Sequence, residues 1–184
     1  MGRMTRVISG SARGRRLAVP DGTATRPTSD RAREGLFSSL LSLVDLEQAR
    51  VLDLYAGSGA LGLEALSRGA ASATLVESDP AALAVLHDNV AHLGLPGAHV
   101  VGVAVERWLA VDPERRYDLA VVDPPYELDV LPVLALLLPW MADDGVVAVE
   151  RGTRGPDLDW PDGYEPLRER RYGAATLWYA RVLR

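Results

Sequence analysis

The segment Val51-Leu52-Asp53-Leu54 is a short apolar run that passes straight into the turn Tyr55-Ala56-Gly57-Ser58-Gly59 and then into a helical stretch from Ala60 to Arg68. A buried strand that enters a helix through glycines is the opening of a βαβ unit, so it commits the chain to a layered α/β fold. Gly57, Gly59 and Gly62 satisfy the G-x-G-x-x-G spacing, and Glu77 closes the second apolar run, Ala73-Thr74-Leu75-Val76-Glu77. In an open sheet this turn stands at the carboxyl end of the first strand, the edge along which ligands bind.

The alternation continues downstream. Asp79 is placed to cap a helix that begins at Pro80 and stops at Gly94. A third strand is expected from His99 to Val103, a fourth from Tyr117 to Val122 and a fifth from Gly145 to Glu150, with a helix from Leu128 to Leu138 between the last two. Repeated units of this kind give a parallel sheet with helices on both faces. The tail differs: Tyr164 to Arg171 and Ala174 to Val182 are separated only by Tyr172-Gly173 and read as an antiparallel hairpin closing one edge. Upstream, Thr28, Ser29 and Asp30 are competent caps for a helix whose apolar stripe is Leu36, Phe37, Leu40, Leu41 and Val44. Earlier still, Arg6-Val7-Ile8-Ser9-Gly10 and Arg16-Leu17-Ala18-Val19 flank a Ser/Gly/Arg turn, which predicts a small β-hairpin with arginines at its tip.

The 184 residues suffice for one such domain with an N-terminal extension. Residues 1–25 are expected to form a basic hairpin arm, and residues 26–184 the main domain. Cysteine is absent, which excludes disulfides and Cys-ligated zinc. His87, His92 and His99 are scattered, with His87 and His92 on different helix faces, so no metal site is expected. The longest apolar stretch, Val130 to Ala142, is broken by Pro132 and Pro139 and falls short of a membrane span. With no signal peptide or membrane segment, the expected location is cytoplasmic. No exposed heptad or long apolar edge is evident, and a monomer is expected. The net charge of −5 argues against a uniformly basic nucleic-acid binder, yet the charge is unevenly placed. Arg3, Arg6, Arg13, Arg15, Arg16, Arg26, Arg31 and Arg33 face only Asp21 and Asp30 before residue 34, so a basic arm precedes an acidic body.

Two features turn the glycine spacing away from a dinucleotide site. Asp53, just ahead of the glycines, would set a carboxylate beside a pyrophosphate, which is unfavourable; beside a cation it is favourable. The fourth strand then ends in Asp123-Pro124-Pro125-Tyr126, across the same crevice, where a hydride donor needs no such turn. Two prolines fix φ and remove two N–H donors, which leaves outward carbonyl acceptors without a local partner. An exocyclic amine offers two protons to such acceptors, and Tyr126 adds a π-face for a base taken out of its stack. A plain proline-rich turn is the competing explanation, and the upstream elements weigh against it.

In this order, the D-x-x-x-G-x-G element, the acidic end of the second strand and the D-P-P-Y after the fourth resemble the class I S-adenosylmethionine-dependent amino-methyltransferases. The resemblance implies a Rossmann-like, mostly parallel seven-stranded sheet with an antiparallel C-terminal hairpin. It implies S-adenosylmethionine as methyl donor and S-adenosylhomocysteine as product. Asp53 with Tyr55, Ala56, Gly57, Ser58 and Gly59 would hold the methionine portion, Glu77 the ribose hydroxyls with Ser78 beside it, and backbone at Ala104 and Val105 the adenine. Val103 departs from the pattern, standing where an Asp or Asn often reaches the adenine edge. Asp123, which also borders the cofactor, and the Pro124 carbonyl would orient the attacking amine for in-line displacement, with Tyr126 against the base.

D-P-P-Y serves adenine, cytosine and guanine amines alike, so the substrate must be read elsewhere. Arg6-Val7-Ile8-Ser9-Gly10, Arg13-Gly14-Arg15-Arg16-Leu17 and Arg26-Pro27-Thr28-Ser29-Asp30-Arg31-Ala32-Arg33-Glu34 resemble the RsmD-type methyltransferases, and with the catalytic elements the likeness covers nearly the whole chain. It implies methylation of the N2 amine of one guanine in small-subunit ribosomal RNA, within a partly assembled subunit. Arg6, Arg13, Arg15 and Arg16 would then touch RNA phosphates and Arg26 the active-site mouth, where a solvated basic hairpin is the plainer alternative. An N6-adenine DNA or RNA methyltransferase is the runner-up, and a nicotinamide-dependent oxidoreductase is the reading from another class.

Overall fold

The computed structural model describes residues 4–21 and 30–183. Strands β1 (Met4–Arg6) and β2 (Arg16–Ala18) pair antiparallel, with Thr5 opposite Leu17. There follow α1 (Asp30–Leu40), β3 (Arg50–Leu54), α2 (Ala60–Ser67), β4 (Ser72–Val76), α3 (Pro80–Leu93), β5 (Ala98–Val101) and α4 (Val105–Leu109). The chain continues through β6 (Tyr117–Val122), α5 (Leu131–Leu137), β7 (Met141–Gly152), β8 (Tyr164–Tyr172) and β9 (Ala175–Val182). Strands β3 to β9 form one seven-stranded sheet in the order β5-β4-β3-β6-β7-β9-β8. Pairing is parallel from β5 to β7 and antiparallel across β7, β9 and β8. The chain builds outward from β3 to β5 and then returns to lay β6 on the other side of β3. A crevice for ligands therefore lies at the carboxyl ends of β3 and β6.

Both sheet faces are covered, which is why the strands read as nearly continuous apolar runs. On one face Val51, Leu75, Leu119, Val121 and Ala148 join the core of α1 and α2 around Leu36, Phe37 and Leu63. On the other, Leu52, Leu54, Ala120, Val122, Val147 and Val149 pack on Val105, Val133, Leu134, Leu137 and Trp140. Helix α3 is set by its own sequence. The Asp79 carboxylate accepts from the Ala82 N–H at 2.8 Å, Pro80 opens the helix, and Gly94 ends it at φ 60°.

Several boundaries depart from expectation. Helix α1 stops at Leu40, so Leu41 leaves the apolar stripe and is 54% exposed, and Val44 lies beyond the helix. The helix expected from Leu128 starts at Leu131, after the Leu128 N–H has closed a turn on the Pro125 carbonyl. The third strand ends at Val101, and α4 was not foreseen. Thr28 and Ser29 lie outside the described residues, and Asp30 is the first residue of α1 rather than its cap.

The N-terminal hairpin is braced against the domain. Val7, Ala12 and Leu17 share the core of α1 and α2. The Glu64 carboxylate, fully buried, accepts from Ile8 N–H at 2.8 Å, Ser9 N–H at 3.0 Å and Arg68 Nε at 2.8 Å. Ser67 Oγ donates to the Ser9 carbonyl and accepts from the Ala12 N–H. Gly10 sits so close that a Cβ there would stand 1.7 Å from the Ser67 carbonyl oxygen. Arg33, 1% exposed, donates through Nη2 to Thr5, the Arg6 carbonyl and Asp30, joining hairpin to α1. Among the described residues no helix is long and apolar enough to cross a membrane.

Candidate active site

Asp53 stands one residue before the end of β3, in its buried run, and is 1% exposed. Oδ2 accepts from the Gly62 N–H at 2.8 Å, while Oδ1 is buried without a hydrogen-bond partner. Burial pushes the carboxyl pKa up to about 7; the Gly62 N–H opposes that rise and the charge of Glu77 adds to it. Gly62 makes the contact possible, since a Cβ there would meet Leu75 Cδ2 at 2.8 Å and Asp53 Oδ2 at 3.1 Å. Gly57, at φ 55°, instead has nothing within 4 Å of where a Cβ would stand, so its open side faces a space a ligand can enter. Its N–H donates to Glu77 Oε2 at 2.8 Å, and Glu77 Oε1 accepts from the Ser78 and Asp79 N–H groups at 2.7 and 2.8 Å. Tyr55 holds φ 61°, an uncommon conformation for a bulky residue, and its hydroxyl donates to Glu106 at 2.7 Å.

A pyrophosphate at this turn would need free N–H groups at the start of α2 and positive surroundings. Here a carboxylate already takes the Gly62 N–H and another takes that of Gly57. Two carboxyl groups thus stand where two phosphates would go, and one of their oxygens, Asp53 Oδ1, is buried without a partner. That arrangement suits a cationic ligand.

Across the crevice, the Asp123 N–H meets the Leu54 carbonyl at 3.4 Å. Asp53 pairs with Val121, and Val121 with Ala148, so the alternation of the strands turns Asp53, Asp123 and Glu150 to the same face. Burial raises the Asp123 carboxyl well above the usual carboxylate range, and the charges of Glu150 and Asp53 push it further. Pro124 is buried, whereas Tyr126 is 43% exposed. Only one of the two proline carbonyls is open: Pro125 accepts from the Leu128 N–H at 3.0 Å, and Pro124 has no backbone partner among the described residues. Tyr126 Cδ1 lies 3.5 Å from where a Cβ on Gly152 would stand, so the ring faces this glycine across an open space. Among the described residues no group of His, Asp and Glu could hold a metal ion.

Comparison with known proteins decides the family. The family model described as conserved hypothetical protein 95 matches residues 5–181. A relative from Escherichia coli (strain K12), ribosomal RNA small subunit methyltransferase D, is 44% identical over 148 residues, which is 79% of this chain and 73% of the relative. The protein of the same name from Haemophilus influenzae is 33% identical over 178 residues, 93% of this chain and 90% of the relative. The chain belongs to this RsmD-type family. A solved structure of a hypothetical protein from Thermus thermophilus superposes with TM-score 0.82 and 36% identity, covering 97% of this chain and 99% of that one. The fold is that of class I methyltransferases.

Within this RsmD-type chain the arginines singled out from the sequence divide. Arg13 and Arg16 are exposed, and their side chains have no partner among the described residues. Arg6 pairs with Asp30 at 3.1 Å. Arg15 folds back to donate to the carbonyls of Leu93, at 2.7 Å, and His92, so it caps the end of α3. Arg26 lies outside the described residues. Ala104 is the N-cap of α4 and exposed; the Val105 side chain is 3% exposed in the core, which leaves only its backbone for a ligand. Three residues escaped the sequence reading. Glu106 anchors Tyr55, Glu150 stands beside Asp123, and Asn89, 3% exposed, ties the hairpin to the glycine turn. Asn89 accepts from the Ala18 N–H and donates to the carbonyls of Ala18 and Ser58, each at 2.9 Å. Asn89→Ala strands these groups in a buried site and is expected to cost about 2 kcal/mol, read as a lower urea midpoint at unchanged slope.

Proposed function

We propose that this protein transfers a methyl group from S-adenosylmethionine to the exocyclic N2 of a guanine in small-subunit ribosomal RNA. The observation that carries the proposal is the buried, unpartnered Asp53 Oδ1 on one side of a crevice whose other side is Asp123 and the open Pro124 carbonyl. Asp53 would meet the ammonium of the methionine portion, and the curve of Tyr55, Ala56, Gly57, Ser58 and Gly59 would wrap it. Glu77 Oε2, which accepts only from Gly57, keeps a lone pair for a ribose hydroxyl, beside Ser78, and the Val105 N–H, unpaired among the described residues in the first turn of α4, would serve the adenine. Bound there, S-adenosylmethionine supplies an electrophilic methyl and leaves as S-adenosylhomocysteine. Asp123 and the Pro124 carbonyl would accept the two amine hydrogens, which localises the nitrogen lone pair and aims it along the line of displacement. Tyr126 offers its exposed face to a base turned out of its stack.

Ribosomal RNA as substrate is favoured by the RsmD-type relatives; guanine N2 is favoured by the likeness of the N-terminal segments. In this reading residues 1–25 are the RNA arm, with Arg13 and Arg16 as its free cations, and a monomer acts in the cytoplasm on a partly assembled subunit. The test is transfer of labelled methyl to deproteinised ribosomal RNA, duplex DNA and small-subunit particles, followed by nucleoside analysis. N2-methylguanosine from ribosomal RNA or particles is the expected product. N6-methyladenosine, or label on duplex DNA alone, would overturn the assignment.

A further inference from the structure

Beside the catalytic tetrapeptide lies a second depression of about 740 Å³, within the range of ligand clefts. Its lining is Tyr126, the run Arg151 to Gly155 at the end of β7, and the β8–β9 turn at Gly173-Ala174. Asp53, Glu77 and Asp123 take no part in it, so it is not the crevice described above, although Tyr126 borders both.

The walls are fixed. Thr153 N–H donates to the Ala174 carbonyl at 2.9 Å, and Thr153 Oγ1 donates to the Gly173 carbonyl at 3.2 Å, which pins the hairpin turn to β7. At Gly152 a Cβ would stand 3.5 Å from Tyr126 Cδ1, an ordinary contact, so the glycine leaves that space open between the ring and the strand. Arg151 is half-buried and Arg154 exposed, neither with an ion-pair partner among the described residues, and no carboxylate lines the groove. An aromatic plate, a glycine floor and two unpaired guanidinium groups are a nucleotide's complement: stacking for the base, forked donors for the phosphate.

A base delivered to Asp123 draws its neighbours along the backbone, and one of them must pass Tyr126. We propose that this groove holds the nucleotide adjoining the methylated one, with its phosphates on Arg151 and Arg154 and its base or ribose against Tyr126 and Gly152. The inference rests on the RNA-methylation reading and deepens it. RNA would then be gripped on two sides, by the hairpin arm and by the end of β7, and the choice of site would include the residue next to the target.

The experiment compares wild-type protein with Arg151→Ala/Arg154→Ala on deproteinised ribosomal RNA, on small-subunit particles and on an RNA carrying an abasic site next to the target. The double variant is expected to bind RNA at least about tenfold more weakly, with the slope of log K against log salt reduced by about 1.4, the release expected from two single-stranded phosphates. Its S-adenosylmethionine affinity should equal the wild type's, which also reports that it is folded. The abasic RNA, which keeps the phosphates and lacks the base, should slow methylation by the wild type, and an undiminished rate would overturn the placing of that base against Tyr126. Wild-type methylation with an unchanged salt slope in the variant would overturn this inference and leave the proposed function standing. A variant defective on particles but normal on deproteinised RNA would also overturn it, assigning the groove to a protein. Absence of any RNA methylation by the wild type would take down both.

Discussion

Asp53→Asn is expected to weaken S-adenosylmethionine binding by about a hundredfold or more, and at pH 8 to raise the melting temperature of the ligand-free protein. The loss of affinity follows from removing one partner of a buried charge pair, which costs about 2–5 kcal/mol. The gain in stability follows from the same burial. Asp53 in the folded protein titrates at about 7, above its ordinary value of 3.8, so the folded state holds the proton more tightly than the unfolded chain. The stabilisation is complete below the unfolded value and is lost as pH climbs through about 7. An asparagine side chain cannot ionise, so the variant lacks that decline, and its advantage over the wild type grows from pH 4 to pH 8. Binding of the cation should correspondingly tighten with pH in the wild type and release a proton near neutrality. Calorimetry at pH 6 and pH 8, in buffers of different ionisation enthalpy, reads both effects. Equal affinity in variant and wild type would remove Asp53 from the cofactor site.

What could be read from the sequence was whatever local chemistry decides. Helix α3 begins and ends where Asp79, Pro80 and Gly94 say it should, and β6 runs from Tyr117 to Val122 as expected, because an apolar strand buried on both faces has no alternative register for its polar flanks. Helix α4 has only five residues, too few to show a period, and is held by Val105 and Leu109 in the core. Arg15 looked like its neighbours Arg13 and Arg16, yet its partners lie on the far end of α3. Glu64 carries no sequence motif, and it is buried because the hairpin supplies its donors. Glu150 is a strand-end residue until the sheet order sets β7 beside β6 and brings its charge to Asp123. Of the three carboxylates on that face, sequence could name Asp53 and Asp123 from their motifs; the third, Glu150, depends on strand order, which no local pattern carries.

That third carboxylate separates two roles for Asp123. Asp123→Ala is expected to lower kcat by about a hundred- to a thousandfold, the typical cost of losing one well-placed hydrogen-bonding group, with a much smaller effect on cofactor affinity. Asp123→Asn keeps a carbonyl oxygen in the same place, so an orienting role predicts that it retains much of the activity Ala loses, whereas a proton-accepting role predicts that Asn is as poor as Ala. Titration supplies the second axis. Burial, Glu150 and Asp53 hold the Asp123 carboxyl well above the usual range, so kcat in the wild type should climb as pH rises and the carboxylate forms. Glu150→Gln removes the neighbouring charge that acts more strongly on Asp123 and should move that limb to lower pH, and Asp123→Asn should abolish it. Single-turnover methyl transfer across pH 5–9 reads all three proteins on one scale. A wild-type profile that Glu150→Gln leaves in place would mean that Asp123 does not govern the step, and full activity in Asp123→Ala would remove it from the mechanism.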